Sequence, residues 1–129
     1  MKNLPFSIFL LFAFSCSQPV TQNDATIAFA QNEHDFGTLR QNQKAVYAFA
    51  FSNPGSSPII IHNVETSCGC TVPDWPKEPI KPGKKGKILI KYDTSHPWAF
   101  SKSITVYYNG KNSPVRLKIK GEVGYPVGL

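Results

Sequence analysis

The chain has 129 residues, 41% of them apolar, and carries 14 Lys and Arg against 8 Asp and Glu for a formal charge of +6. That length gives room for one domain rather than several, and the apolar share is that of a globular protein, not of a disordered or fibrous chain. The positive balance alone does not mark a nucleic-acid binder, because the N-terminal residues point to export.

"MKNLPFSIFLLFAFSC" sets one early lysine before an unbroken apolar run from Ile8 to Phe14, followed by the small Ser15 and then Cys16. The run is too short for a helix to cross a hydrocarbon core of ~30 Å, and it has the flanks of a secretory signal over residues 1–15. "AFSC" resembles a bacterial lipobox, in which the cysteine is acylated and becomes the first residue of the mature chain. An odd cysteine in an oxidising compartment is a liability unless its sulfur is capped, which favours acylation of Cys16. Each acyl methylene buried in the bilayer stabilises attachment by roughly 0.8 kcal/mol. Phe14 is bulkier than that pattern usually carries. The alternative is plain secretion with cleavage near Ser15, leaving Cys16 as a free thiol. "CSQPVTQN", residues 16–23, reads as a polar tether, and the folded part is expected over 24–129.

No later segment has an apolar stripe of helical period, and Pro and Gly recur often enough to break a long helix. Short alternating runs remain. "ATIAFAQ" puts Ile27 and Phe29 on one face. "AVYAFAFSN" sets Tyr47, Phe49 and Phe51 against Ala48 and Ala50, and "NPGSSP" is a turn by composition. "PIIIHNVE" pairs Ile59 with Ile61 and puts Ile60 opposite. "GKILIKY" gathers Ile88, Ile90 and Tyr92, and "SITVYYN" gathers Ile104, Val106 and Tyr108. After the turn "NGKNSP", "VRLKIKGEV" turns Val115, Leu117 and Ile119 inward and Arg116, Lys118 and Lys120 outward. The expected architecture is all-β, an immunoglobulin-like antiparallel β-sandwich of about seven strands, each sheet with one wet face. Cys68 and Cys70 stand too close together to bridge two sheets, so the core must hold by burial alone.

Two further stretches have a local structural reason. In "HDFGTL", Gly37 can take a positive φ and allow a bulge between Phe36 and Thr38, with Asp35 and Thr38 bonding the freed backbone groups. In "KPGKKG", Pro82 and Gly83 stand in the order of a type II turn.

"HDFGTL", "FSNPGSSPIIIHNVETSCGCTVP", "PIKPGKKGKILIKYD" and "ITVYYN" before "IKGEV" together resemble one bacterial family, domain of unknown function 1573, over roughly Ala25 to Val123. Its members are secreted or lipid-anchored. The family is similar in turn to immunoglobulin-like domains of the Hydin and major sperm protein type. The resemblance implies an adhesion or scaffolding module and supplies no reaction.

"ETSCGCTVPDW" holds the remaining chemistry. On an extended strand Cys68 and Cys70 would project to one face. They could offer two thiolates to Cu(I), although a tetrahedral site would need further ligands. They could close a disulfide if the chain bends, as a local staple or a redox-active pair. Or they could be small residues packed at a strand end, with Thr66, Ser67 and Thr71 tying up backbone groups. The preferred expectation is a buried or disulfide-closed corner that fixes the loop leading to Trp75.

No Gly-x-Ser-x-Gly elbow, phosphate-cradling glycine loop or His-Glu-x-x-His occurs, and Asp35, Asp74 and Asp93 have no spacing of a general acid/base pair. The chain is therefore read as non-enzymatic and without a cofactor. Trp75 and Trp98, each beside a proline in a loop, are candidate contacts for an envelope protein or glycan, or else caps on an open end of the sandwich. Lys84 and Lys85, with Lys81 and Lys87, suit an anionic lipid or acidic glycan better than nucleic acid in an exported protein. The leading expectation is a lipid-anchored interaction module on a membrane of the bacterial envelope. The second is a periplasmic thiol-redox or copper protein using Cys68 and Cys70.

Overall fold

Period-two alternation produces eight strands and no helix among the described residues. They are β1 (Ala28–Phe29), β2 (Glu33–Arg40), β3 (Ala45–Ser52), β4 (Ile61–Thr66), β5 (Thr71–Asp74), β6 (Lys85–Tyr92), β7 (Ala99–Tyr108) and β8 (Val115–Gly124). The computed structural model describes residues 25–125 and the isolated positions Asn3 and Ser15. Apart from those two positions, the expected signal segment 1–15 and tether 16–23, with Cys16, lie outside the described residues.

The strands form two four-stranded sheets, ordered β1-β3-β6-β5 and β2-β8-β7-β4. Their inner faces carry the residues that alternation assigns to the core. Phe49, Ile88 and Ile90 of the first sheet pack with Ile104, Val106, Leu117 and Ile119 of the second, each at most 1% exposed. Toward one end the Tyr92 ring stacks on Phe100 across the two sheets, with centroids 3.8 Å apart. This contact lies between sheets that no disulfide joins.

Three features differ from the expected pattern. First, β2 runs parallel to β8, so the second sheet is mixed rather than wholly antiparallel. Alternation reports which face of a strand is buried and says nothing about the neighbour it takes. Second, "ATIAFAQ" forms a strand only at Ala28 and Phe29, with one further bond from the Ala30 N–H to the Ala50 carbonyl, before the chain passes to the other sheet as β2. Third, "TVPD" is an edge strand, β5, beside β6. Its proline is tolerated because an edge position does not require every N–H.

The two anticipated backbone features are present. The β2–β8 register jumps between Asp35 and Thr38, Gly37 has φ 66°, and Asp35 Oδ1 accepts a hydrogen bond from the Gly37 N–H at 2.8 Å. Gly83 has φ 77°, with the Lys84 N–H donating to the Lys81 carbonyl at 3.0 Å, as a type II turn requires.

Strand register sorts the loops into two ends. One end gathers 53–60, 80–84 and 109–114, with Ala25 buried beside the last of these. The opposite end gathers 41–44, 67–70, 93–98 and Tyr125. At the first end Asn53 is 1% exposed and holds two turns together. Its Nδ2 donates to the carbonyls of Ser57 (2.9 Å) and Ile80 (2.8 Å), and its Oδ1 accepts from the Gly55 N–H at 3.0 Å. Its own N–H donates to the Lys84 carbonyl, and its carbonyl accepts from the Gly83 N–H. Composition marks "NPGSSP" as a turn but does not distinguish this buried asparagine from an exposed one.

Phe49→Ala is expected to lower unfolding free energy by about 3–5 kcal/mol through lost burial and the cavity left behind. Asn53→Ala removes three side-chain hydrogen bonds, to the Ser57 and Ile80 carbonyls and from the Gly55 N–H, and is expected to cost about 2–3 kcal/mol. Urea unfolding of both variants measures these losses. An Asn53→Ala midpoint equal to that of the unaltered protein would show that the asparagine does not organise that end.

Candidate functional site

The cysteine pair lies in a turn, not on an extended strand. β4 ends at Thr66 in one sheet and β5 begins at Thr71 in the other, so 67–70 make the crossover between sheets. An extended i to i+2 step would span roughly 6.6 Å. Here the chain turns, with the Thr71 N–H donating to the Cys68 carbonyl, and the Cα atoms of Cys68 and Cys70 stand 5.3 Å apart. The two sulfurs are joined as a disulfide.

The turn is also held without that bond. The Thr66 hydroxyl reaches the carbonyls of Cys68 (2.9 Å) and Thr71 (3.0 Å). The Ser67 N–H donates to the Ser103 carbonyl, and Ser67 Oγ accepts from the Ser103 N–H at 3.1 Å. The Asp93 N–H donates to the Cys70 carbonyl at 2.8 Å. Thr66 and Ser67 thus act as expected. Thr71 differs, since its buried hydroxyl lies 3.7 Å from Cys68 Sγ and 3.9 Å from Cys70 Sγ. By chain entropy, a ring of three residues stabilises a fold by roughly 1.6 kcal/mol, about half of what a fifteen-residue loop provides.

Cys70 and Gly69 line an open groove of about 590 Å³ together with Val72, Lys44, Lys91 and Asp93. Pairing in register sets Lys91 between Val46 and Val72, which are 41% and 58% exposed. The Ser95 backbone N–H donates to Asp93 Oδ1 and holds that carboxyl below its usual range, so the groove carries an anion beside its lysines. Val72, Lys44 and Lys91 were not singled out by sequence, because their meeting depends on β5 being a strand and on its register with β6.

The two tryptophans have different surroundings. Trp75 is half-buried against the core cluster, and Lys77 Nζ lies over its ring at 3.1 Å from the centroid. Trp98 is 66% exposed in the loop before β7, on the same end of the sandwich as the disulfide, with Tyr125 packed edge-on against it at 6.0 Å. That end is cross-tied: Gln41 Nε2 donates to the Ser95 carbonyl (2.7 Å), Thr94 Oγ1 to the Gln43 carbonyl (2.6 Å), and the Val123 N–H to the Trp98 carbonyl (3.0 Å). Lys84 and Lys85 are exposed at the other end, with Lys81 and Lys111. The structure therefore separates these lysines from Trp98 and the cysteines.

The "HDFG" segment packs rather than forming a cluster of reactive groups. His34 stacks on Tyr47 at 3.6 Å and 8°, Phe36 meets His34 edge-on, and the Tyr47 hydroxyl donates to Gln31 Oε1. Glu33 forms an ion pair with Lys120 at 2.7 Å, with both side chains nearly half exposed.

The model of the family described as Protein of unknown function (DUF1573) matches residues 27–123. Among solved structures, a protein of unknown function from Porphyromonas gingivalis W83 is similar at 20% identity and a TM-score of 0.71, over 81% of this chain and 50% of that one. The chain thus spans half the length of that protein. The ASH/PapD-like domain of human CEP192 is similar at 9% identity and a TM-score of 0.67, over 84% of this chain and 93% of that one. The VesB protease of Vibrio cholerae is similar at 11% identity and a TM-score of 0.59, over 78% of this chain and 32% of that one. At such identities these likenesses establish the fold alone. No curated protein matches the chain.

Burial holds the His34 imidazole below its usual pKa, against a smaller opposing pull from Asp35. The unfolded chain therefore takes up the proton first as pH falls. The stability that neutral His34 contributes is complete above about pH 6.5 and is lost as pH drops through that value toward the lower folded one. Melting temperature is expected to fall between about pH 7.5 and 5.5, and to fall less in His34→Phe, which keeps a stacked ring without the titration. Equal falls in the two proteins would remove His34 as the cause.

Proposed function

The chain belongs to the DUF1573 family, and we propose that it serves as a non-catalytic interaction module tethered by acylated Cys16 to a membrane of the bacterial envelope. The observation that carries this reading is the polarity of the sandwich. The described chain begins at the end that bears Lys81, Lys84, Lys85 and Lys111, where Ala25 lies against the turn between β7 and β8. A lipid on Cys16 would bring this basic end toward the bilayer, where each lysine near an anionic surface adds about 1 kcal/mol of attraction. The opposite end, with Trp98, Tyr125 and the groove beside Cys70, would then face away from the membrane and meet an envelope protein or glycan. An exposed aromatic pair on cross-tied loops suits an anchor that loses little freedom on binding.

Absence of general acid/base catalysis is part of the same proposal. Asp35, Asp74 and Asp93 lie on β2, β5 and the loop after β6, and Asp35 and Asp93 line different clefts rather than pairing as an acid and a base. A copper site has less support. Sulfurs bonded to each other are not thiolate ligands, and among the described residues no three of His, Cys, Asp or Glu gather where a metal ion could sit.

Cys16→Ser is expected to move the protein from the membrane to the soluble fraction with its melting temperature unchanged. Trp98→Ala is expected to remove the main cross-linked product formed in intact envelopes, again without loss of stability. Retention of the Cys16→Ser protein on membranes after a high-salt wash would end the lipid-anchor reading. A cross-linking pattern indifferent to Trp98 would end the assignment of the contact end.

A further inference from the structure

The disulfide closes a turn that hydrogen bonds from Thr66, Ser67, Thr71 and Asp93 already hold, so its chemistry is in excess of what the fold needs there. Four observations describe what that chemistry can do. Both cysteines are only half-buried. Cys70 borders the groove, and Gly69 beside it has open space where a side chain would stand. Lys44 and Lys91 outnumber the Asp93 carboxylate in the same groove, and their net positive charge attracts an anionic nucleophile. The leaving sulfur is provided for: the Cys70 N–H donates to Cys68 Sγ at 3.2 Å, and the Thr71 hydroxyl stands 3.7 Å from it.

The geometry points to a thiol–disulfide exchange site in which the Cys68–Cys70 disulfide accepts two electrons from a dithiol presented in the groove. A thiolate of the dithiol attacks Cys70 Sγ. The new mixed disulfide forms as the Cys68–Cys70 bond breaks, and the electron pair passes to Cys68 Sγ, where the Cys70 N–H and Thr71 hydroxyl receive it. The second thiolate of the dithiol then attacks its own sulfur in the mixed disulfide. That releases Cys70 as a thiolate and leaves the partner as a disulfide. The two cysteines take up two protons from solvent, and the reductant is the dithiol itself. Stabilising the departing thiolate speeds its release, which makes Cys70 the attacked sulfur and Cys68 the leaving one. The hydrogen bonds from Thr66, Ser67 and Asp93 do not involve the sulfurs, so the turn survives reduction. This activity does not depend on membrane attachment.

The full chain, oxidised and native, tests this with dithiothreitol as the dithiol probe and reduced glutathione as the monothiol probe. Reduction by dithiothreitol at pH 7 is expected to run at least about tenfold faster than that of oxidised glutathione under the same conditions. Glutathione followed by rapid alkylation and peptide mapping is expected to place glutathione on Cys70 and the alkyl group on Cys68; mapping by peptide keeps Cys16 out of the count. The reduced protein is expected to keep its tryptophan fluorescence and a cooperative melt. Reduction no faster than that of oxidised glutathione, glutathione trapped mainly on Cys68, or unfolding on reduction would each overturn the proposal, the last by showing that the bond is a structural staple.

Discussion

Burial of one face of each sheet against the other is the interaction on which the rest of this molecule depends. Among the described residues no disulfide joins the sheets, so their union rests on the apolar rows of β3 and β6 meeting those of β7 and β8. Such a core works only if every strand keeps its register, because a slip of one residue would turn Phe49 or Ile88 to solvent and Ala48 or Lys87 inward. The turns therefore carry the burden of holding register. Asn53 does this at one end. The paired loops 41–44 and 93–98 do it at the other, where Thr94 and Gln41 close the backbone bonds that the strands leave open.

A core held this way leaves the two ends free to differ, and they do. One end is basic and receives the chain; the other carries an exposed aromatic pair, a groove and a disulfide. The sandwich separates them by the length of its strands, so contact at one end need not disturb the other. The cysteine pair, as a proposed exchange site, would keep reaction and fold apart locally. Its backbone is fixed by hydroxyl and amide partners, which leaves the sulfurs available for chemistry that does not threaten the stacking of the sheets. Tyr92 ties the two themes together: it stacks on Phe100 within the core while lining the groove beside Cys70.

Much of the fold was legible in the sequence because burial of one strand face is a local, period-two property. Phe49 and Phe51, Ile88 and Ile90, Ile104 and Val106, and Leu117 and Ile119 announce their faces by parity, and all eight are buried. Gly37 and Gly83 announced a bulge and a turn, since a positive φ favours a residue without a Cβ. What only tertiary structure decided is pairing. The parallel placement of β2 on β8, the edge strand β5 with its proline, and the meeting of Lys91, Val72 and Cys70 all depend on neighbours distant in the chain. The same is true of the site. Sequence named Cys68, Cys70, Trp75, Trp98, Lys84 and Lys85 by residue type. Strand register then put Trp98 and the cysteines on one end and the lysines on the other, and half-buried Trp75 against the core. Residue type records the chemistry a side chain can offer; which groups share a surface follows from how the strands are paired.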